Sequence, residues 1–260
     1  MCNSLHIIIP MCGEGKRFKD AGYDTPKPLL EINNKKIFRH AADSLDFSTY
    51  NINVKYTFIV RKDFYTNELK QEIYNSYENS NIVICDHITR GSLETLMLAK
   101  DYIKDDDYII SLDCDIAFDS KNYIYYLYQL CKYESELPIV MSFYSKNPAY
   151  SYVKVKEDDD TLGILIKEKQ QISTYALGGC YGLSTGKVLK RAYKKYLKDF
   201  ENKKIKSKEL YTSLVINYII QQLKTYILIY NLDIRNDHYW SFGVPDDYEK
   251  YSYDRNIWNK

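Results

Sequence analysis

Short apolar, β-branched runs alternate with amphipathic stretches through the first half of the chain. Leu5–Ile9, Val54–Val60, Asn81–Cys85 and Asp107–Leu112 have strand length and strand composition. Between them, apolar residues recur at helical spacing over Lys36–Leu45, Tyr65–Tyr77, Leu93–Ile103 and Asn122–Tyr133. This alternation predicts βαβ units and a Rossmann-like α/β fold, a mostly parallel mixed sheet flanked by helices. The second half reads differently. Pro138–Phe143, Tyr152–Lys156, Leu162–Lys167 and Thr174–Leu183 predict strands joined by turns, one of them at Asp158-Asp159-Asp160. Helices are predicted over Lys187–Phe200 and Glu209–Leu223, with a last strand at Tyr226–Tyr230. No Pro/Gly/Ser-rich linker or repeat separates the halves, so one domain over residues 1–260 is expected, with halves 1–135 and 136–260.

Two clusters carry chemistry. The first strand runs through Pro10, Met11 and Cys12 into Gly13-Glu14-Gly15-Lys16-Arg17-Phe18, and Lys27 stands between prolines in Pro26-Lys27-Pro28-Leu29-Leu30. Glycines let backbone N–H groups approach an anion closely, and Lys and Arg neutralise it. A polyphosphate suits these parts. The Walker pattern does not fit, because one residue separates the glycines and Arg17 stands where a magnesium-binding hydroxyl belongs. The dinucleotide fingerprint fails too, since Phe18 takes the third glycine position. The second cluster is Asp113 and Asp115 in Ser111-Leu112-Asp113-Cys114-Asp115, at the end of the fourth strand. Two hard carboxylates there suit Mg²⁺ shared with a nucleotide's phosphates, although solvent-facing loop acids would look the same. Both clusters fall at carboxyl ends of strands, where open α/β sheets bind ligands.

The order strand, G-x-G-x-R, P-K-P-L-L resembles the N-terminal signature of the sugar nucleotidyltransferases, the pyrophosphorylases that make nucleotide sugars. Lys16 departs from the Ser or Thr usual in that signature. Weaker matches follow in order as far as residue 250. Arg90-Gly91-Ser92-Leu93-Glu94-Thr95 resembles the G-[TS]-x-x-[TA] loop beside base and sugar; without the family it reads as a helix N-cap. Lys167-Glu168-Lys169-Gln170 resembles the E-K segment that holds the acceptor's hydroxyls and phosphate, and otherwise reads as a charged turn. Gly178-Gly179 matches a glycine strand under the acceptor, and Glu209-Leu210-Tyr211 a helix start of polysaccharide-cluster relatives. One element of the family is missing. Ser241, in Trp240-Ser241-Phe242-Gly243, stands where relatives carry a second metal-binding aspartate, and Asp237 is the nearby alternative.

The resemblance implies a GT-A-like nucleotidyltransferase fold and a reaction to match. A phosphate-monoester oxygen attacks the α-phosphorus of a nucleoside triphosphate and pyrophosphate leaves, a transfer that needs positioning and charge neutralisation more than acid–base chemistry. It further implies Arg17, Lys27 and Asp115 as catalytic residues. Met11, Cys12, Gly13, Glu14, Gly15, Lys16, Arg90, Gly91 and Ser92 would bind the nucleotide. Glu168, Lys169, Gly178 and Gly179 would bind the acceptor, and Asp115 with Asp113 would hold Mg²⁺. The implied partners are an NTP, a pyrimidine first and CTP before UTP or dTTP, and a phosphorylated sugar or polyol for capsule or surface polysaccharide.

Composition narrows the rest. Lys and Arg number 36 against 35 Asp and Glu, so no footprint for nucleic acid appears. The basic stretch from Lys187 to Lys208 reads as a solvated helix face, with an anionic partner surface as the alternative. No apolar run approaches membrane length, no leader is expected, and the six cysteines form no C-x-x-C pair. A reducing cytoplasm is the expectation, with a homo-oligomer left open. Two other functions compete: a glycosyltransferase of the related fold, which has no triphosphate tail to bind, and a non-catalytic nucleotide-binding module.

Overall fold

The computed structural model describes residues 4–233 and 235–252, so the expected range 1–260 extends past it at both ends. In chain order the elements are β1 (Leu5–Met11), α1 (Lys16–Asp20), β2 (Glu31–Ile32), β3 (Lys35–Lys36), α2 (Ile37–Asp43), β4 (Val54–Arg61), α3 (Asn67–Ser76) and β5 (Ser80–Cys85). Then come α4 (Ser92–Met97), β6 (Tyr108–Leu112), β7 (Ile116–Asp119), α5 (Lys121–Lys132), β8 (Ile139–Tyr144), β9 (Tyr152–Lys156) and β10 (Asp159–Lys167). The chain continues through β11 (Tyr175–Thr185), α6 (Gly186–Glu201), α7 (Thr212–Leu223), β12 (Ile227–Asn231), β13 (His238–Ser241) and α8 (Pro245–Ser252).

Nine strands form one mixed sheet in the order β5-β4-β1-β6-β11-β8-β12-β10-β9. The first four pair in parallel; β11 enters antiparallel to both β6 and β8, and β12 lies parallel to β8. Alternate residues of β1 serve the two faces. Ile7 and Ile9 pack into the core with Phe38, Ile73 and Leu127, from α2, α3 and α5. Ile8 packs into the opposite core with Leu93, Val188 and Ile216, from α4, α6 and α7. A strand buried on both faces has no polar side to show, which is why β1 reads as an unbroken apolar run.

Several expected boundaries move, each for a tertiary or hydrogen-bonding reason. The helix expected over Leu93–Ile103 ends at Met97, and the chain goes on in turns bonded three residues back, such as Ala99 N–H to the Leu96 carbonyl and Lys100 N–H to the Met97 carbonyl. The helix expected from Glu209 starts at Thr212, because the Leu210 N–H and carbonyl are bonded to Arg90 and Leu93. The turn expected at Asp158-Asp159-Asp160 lies at Glu157-Asp158, and Asp159 opens β10. The short α1, the terminal α8 and the ribbon pairing β7 with β13 had no periodicity long enough to be read from sequence. That ribbon brings the C-terminal segment back over the carboxyl end of β6.

Candidate active site

Asp113 and Asp115 follow β6 directly, and β11 passes beneath them. The Asp113 N–H donates to the Gly179 carbonyl at 2.9 Å. Gly179 has φ +78°, and a Cβ there would lie 2.8 Å from Asp113 Oδ2, so glycine is required both by backbone conformation and by space. A cleft of about 380 Å³ opens at this edge, and Arg17, Lys27, Glu168, Tyr211 and Ser213 all line it. Asp113, Asp115 and Gly179 line it as well, and the C-terminal segment adds Tyr239, Ser241, Gly243 and Asp247.

Charge is concentrated at one point in the cleft. Lys27 Nζ lies 2.6 Å from Asp115 Oδ2, with both side chains one-fifth exposed. Burial opposes the Lys27 charge, but Asp115 more than offsets this and raises the ammonium above its ordinary value. Burial also works against the Asp115 carboxylate, and Lys27 overrides it, so Asp115 stays below the usual carboxylate range. Asp113 goes the other way. Burial, then the neighbouring Asp115 charge, pushes its carboxyl up to about 8. Arg17 Nη1 reaches the Gly243 carbonyl at 3.5 Å, and the Phe242 N–H donates to the Asp115 carbonyl at 2.7 Å. The C-terminal segment is thereby tied to the same few atoms.

Elsewhere in the lining, Glu168 Oε2 accepts hydrogen bonds from the hydroxyls of Ser151 and Ser213, the latter at 2.8 Å. Lys169 does not line the cleft: its ammonium donates to the Tyr211 hydroxyl at 3.2 Å and lies over that ring. Gly178 is absent from the lining too, because it packs under Met141, 2.8 Å from where a Cβ would stand.

The other expected nucleotide contacts divide into groups. Gly13, Glu14 and Gly15 line an adjoining cavity of about 300 Å³, and Lys27 lines both cavities. Met11 is buried, Cys12 is half-buried with its thiol donating to the Ile59 carbonyl, and Lys16 is exposed at the start of α1. Burial pushes the Cys12 thiol well up from its usual range. Ser92 lines the main cleft, yet its hydroxyl accepts the Thr212 N–H and Oγ1 at 3.0 Å each and so holds the start of α7. Gly91, φ +145°, would place a Cβ 2.6 Å from the Leu210 carbonyl oxygen. Arg90 is held by Glu94 and Glu201 outside the cleft lining. Asp237 sits elsewhere as well, accepting from the Tyr230 hydroxyl and the Asp233 N–H.

Sequence reasoning missed Asn147, Tyr150, Ser151 and Tyr181, all in the lining. The first three lie in the β8–β9 connection, where the only local signal was the loop-forming Asn147-Pro148 pair. Tyr181 is an inner residue of β11 and looks like core from sequence.

The parallel half of the sheet thus ends in a glycine loop, two cations and a carboxylate pair. The chain belongs to the nucleotidyl transferase family, whose model matches residues 7–251. It is 25% identical over 169 residues to the bifunctional protein GlmU of Methanocaldococcus jannaschii, a match covering 64% of this chain and 36% of that protein's length. Among solved structures, the nucleoside-diphosphate-sugar pyrophosphorylase from Vibrio cholerae RC9 superimposes with a TM-score of 0.78 at 24% identity, over 95% of this chain and 100% of the other. The inositol-1-phosphate CTP transferase from T. maritima gives 0.66 at 13% identity, over 96% and 94%. These structural likenesses establish the mixed α/β nucleotidyltransferase fold.

Proposed function

We propose that the protein joins a nucleoside monophosphate from an NTP to a small phosphomonoester acceptor and releases pyrophosphate. One observation carries the reading: Arg17 and Lys27 meet Asp113 and Asp115 in one cleft that also takes in Glu168 with its Ser151 and Ser213 partners. Family membership speaks against the glycosyltransferase alternative, and the assembly of both cations with Asp115 speaks against a non-catalytic module.

In this reading Gly13 and Gly15 let backbone amides approach the triphosphate, and Arg17 and Lys16 neutralise the leaving pyrophosphate. Lys27, at the junction of the two cavities, binds the α-phosphate where negative charge builds during transfer. Asp115 and Asp113 fit Mg²⁺. They offer hard oxygens two residues apart, and Mg²⁺ commonly takes one or two carboxylates with the rest of its shell from phosphate and water. Among the described residues no group of three or more acidic, His or Cys side chains could hold a metal, so phosphate oxygens would complete the shell. Bound there, the ion would supply charge neutralisation on the phosphates. Glu168 holds the acceptor's far end. A pyrimidine nucleotide, CTP before UTP or dTTP, and an acceptor destined for a surface polysaccharide are the finer reading.

The test is pyrophosphate release from purified protein, Mg²⁺ and each common triphosphate against a panel of phosphorylated acceptors. Acceptor-dependent release with one base supports the reaction. If no triphosphate raises the melting temperature, the reading is wrong.

A further inference from the structure

One strongly charged surface takes no part in the cleft. Residues 187–208 carry ten Lys or Arg against two acids, while the whole chain balances at 36 against 35. Helix α6 buries Val188, Leu189, Ala192 and Tyr196 in the core it shares with α4 and α7. Lys187, Arg191, Lys194 and Lys198 stand at i, i+4, i+7 and i+11 on its outward flank, and all four are exposed. At helical rise that row spans about 16 Å. Like charges three or four residues apart destabilise a helix, so the row weighs against α6 unless an anionic partner lies along it. Among the described residues none of the four forms an ion pair. The nearby acids are committed elsewhere. Asp105 takes Lys190 at 2.9 Å, Asp199 takes Lys204 at 3.5 Å and Glu201 takes Arg90 at 3.1 Å. The Asp105 charge acts on Lys187 and Arg191 only beyond ion-pair distance. Lys203, Lys206 and Lys208, also exposed, carry the positive surface past the end of the helix.

We infer that the outward face of α6 and the lysines after it dock the protein on an anionic lipid bilayer, as a peripheral contact made by charge. The inference is independent of the nucleotidyl-transfer reading. A planar array of lipid phosphates can meet a straight row of cations along its whole length, and clusters of about four to eight Lys or Arg are the usual means of holding a protein at such a surface. Insertion is no part of it. The apolar residues of α6 are buried in the core, and among the described residues no helix is long and apolar enough to cross a membrane. Nucleic acid fits less well. Its readers push a helix into a groove or stack bases on aromatic rings, whereas α6 is sunk in the molecule along one flank and its exposed positions hold no aromatic residue. The contact is therefore electrostatic and sensitive to salt.

Co-sedimentation of the full-length protein with lipid vesicles tests this. Vesicles of phosphatidylcholine alone are set against vesicles with an equal part of phosphatidylglycerol, at about 0.1 M and about 1 M salt. At the lower salt the anionic vesicles should bind the protein roughly tenfold more tightly than the neutral ones, and the higher salt should abolish the difference. A variant combining Lys187→Gln, Arg191→Gln, Lys194→Gln and Lys198→Gln should lose the preference without a fall in melting temperature, since the repulsion along the row goes with the charges. The wild-type comparison needs no variant: equal binding to both kinds of vesicle, or binding to neither, overturns the inference. A preference that the combined variant retains overturns it as well, because the contact then lies elsewhere on the chain. A DNA duplex and a single-stranded RNA are run in parallel, and binding to either in place of the anionic vesicles replaces the bilayer with nucleic acid.

Discussion

Among the described residues the Arg17 side chain makes one long hydrogen bond, to the Gly243 carbonyl, and it is otherwise exposed. Its removal should therefore spare the fold and show in catalysis. Arg17→Ala should lower turnover by roughly 10²–10³, the usual effect of losing one preorganised donor, with the melting temperature unchanged. Wild-type turnover in the folded variant would remove Arg17 from the reaction. Lys27 is different, since taking it away leaves Asp115 without its 2.6 Å partner. Lys27→Ala should lose stability and turnover together, read by denaturation and pyrophosphate release on one preparation. Two histidines set a pH limit on the fold. Burial pushes His6 and His40 down to about 4, with the Asp107 charge partly countering this at His6 and the Ile32 carbonyl at His40. The folded state then takes up these protons only near pH 4, whereas the unfolded chain takes them up from its ordinary 6.5. Stability should be intact above pH 6.5 and fall as pH drops toward 4, by up to roughly 3 kcal/mol for each histidine. Urea midpoints between pH 7.5 and 4.5, compared with those of His6→Gln, test this. An unchanged slope in the variant would clear His6.

At the scale of elements, the loop before α4 and the start of α7 form one joint. Leu93 N–H bonds the Leu210 carbonyl, Leu210 N–H bonds the Arg90 carbonyl, and the Ser92 hydroxyl accepts the Thr212 N–H. Gly91 permits the approach, because a Cβ would meet the Leu210 carbonyl oxygen at 2.6 Å. Ser92→Ala should cost about 1 kcal/mol, in the range of a lost helix cap. Gly91→Ala should cost more, since it both occupies that space and forces a side chain onto φ +145°. Chemical denaturation of the two variants ranks them, and the reverse order would show that the joint yields easily. Because α7 carries Thr212 and Ser213 into the cleft, the same joint sets the position of Glu168's hydroxyl partner.

Across the whole molecule, a third core ties the segment after the glycine loop to the C-terminal segment. Phe242, fully buried, packs with Phe18 of α1, Leu30, Ile32 and Ile37, and with Ala117 of β7. Its backbone N–H meanwhile holds the Asp115 carbonyl at 2.7 Å. Loop, carboxylates and C-terminal segment thus share one packing unit. Phe242→Ala should cost about 3–5 kcal/mol, as large-to-small changes of buried aromatics do. It should also reduce turnover at temperatures where the protein remains folded, because Asp115 and Arg17 lose their common support. Full turnover at an unchanged melting temperature would show that the segment is a passive cover.

The extent of what the sequence determined follows the range of the interactions involved. The apolar run of β1 needs only burial on both faces, and the glycine loop with its cations needs only short spacing, so both were legible along the chain. The same holds for the pair Asp113 and Asp115 at the end of β6, whose placement at a strand terminus is local. Tertiary structure alone decided three things. It paired β7 with β13, four residues against four from distant parts of the chain, and so brought Ser241, Gly243 and Asp247 to the cleft. It turned Lys169 away toward Tyr211 and drew Arg90 to Glu94 and Glu201, though each sits in a segment that reads as a ligand contact. It also gathered Tyr150, Tyr181, Tyr211 and Tyr239, from four separate segments, into the lining of one cleft. A side chain's direction depends on the partners that compete for it, and those partners come from elsewhere in the chain; spacing along one strand or loop carries no information about them.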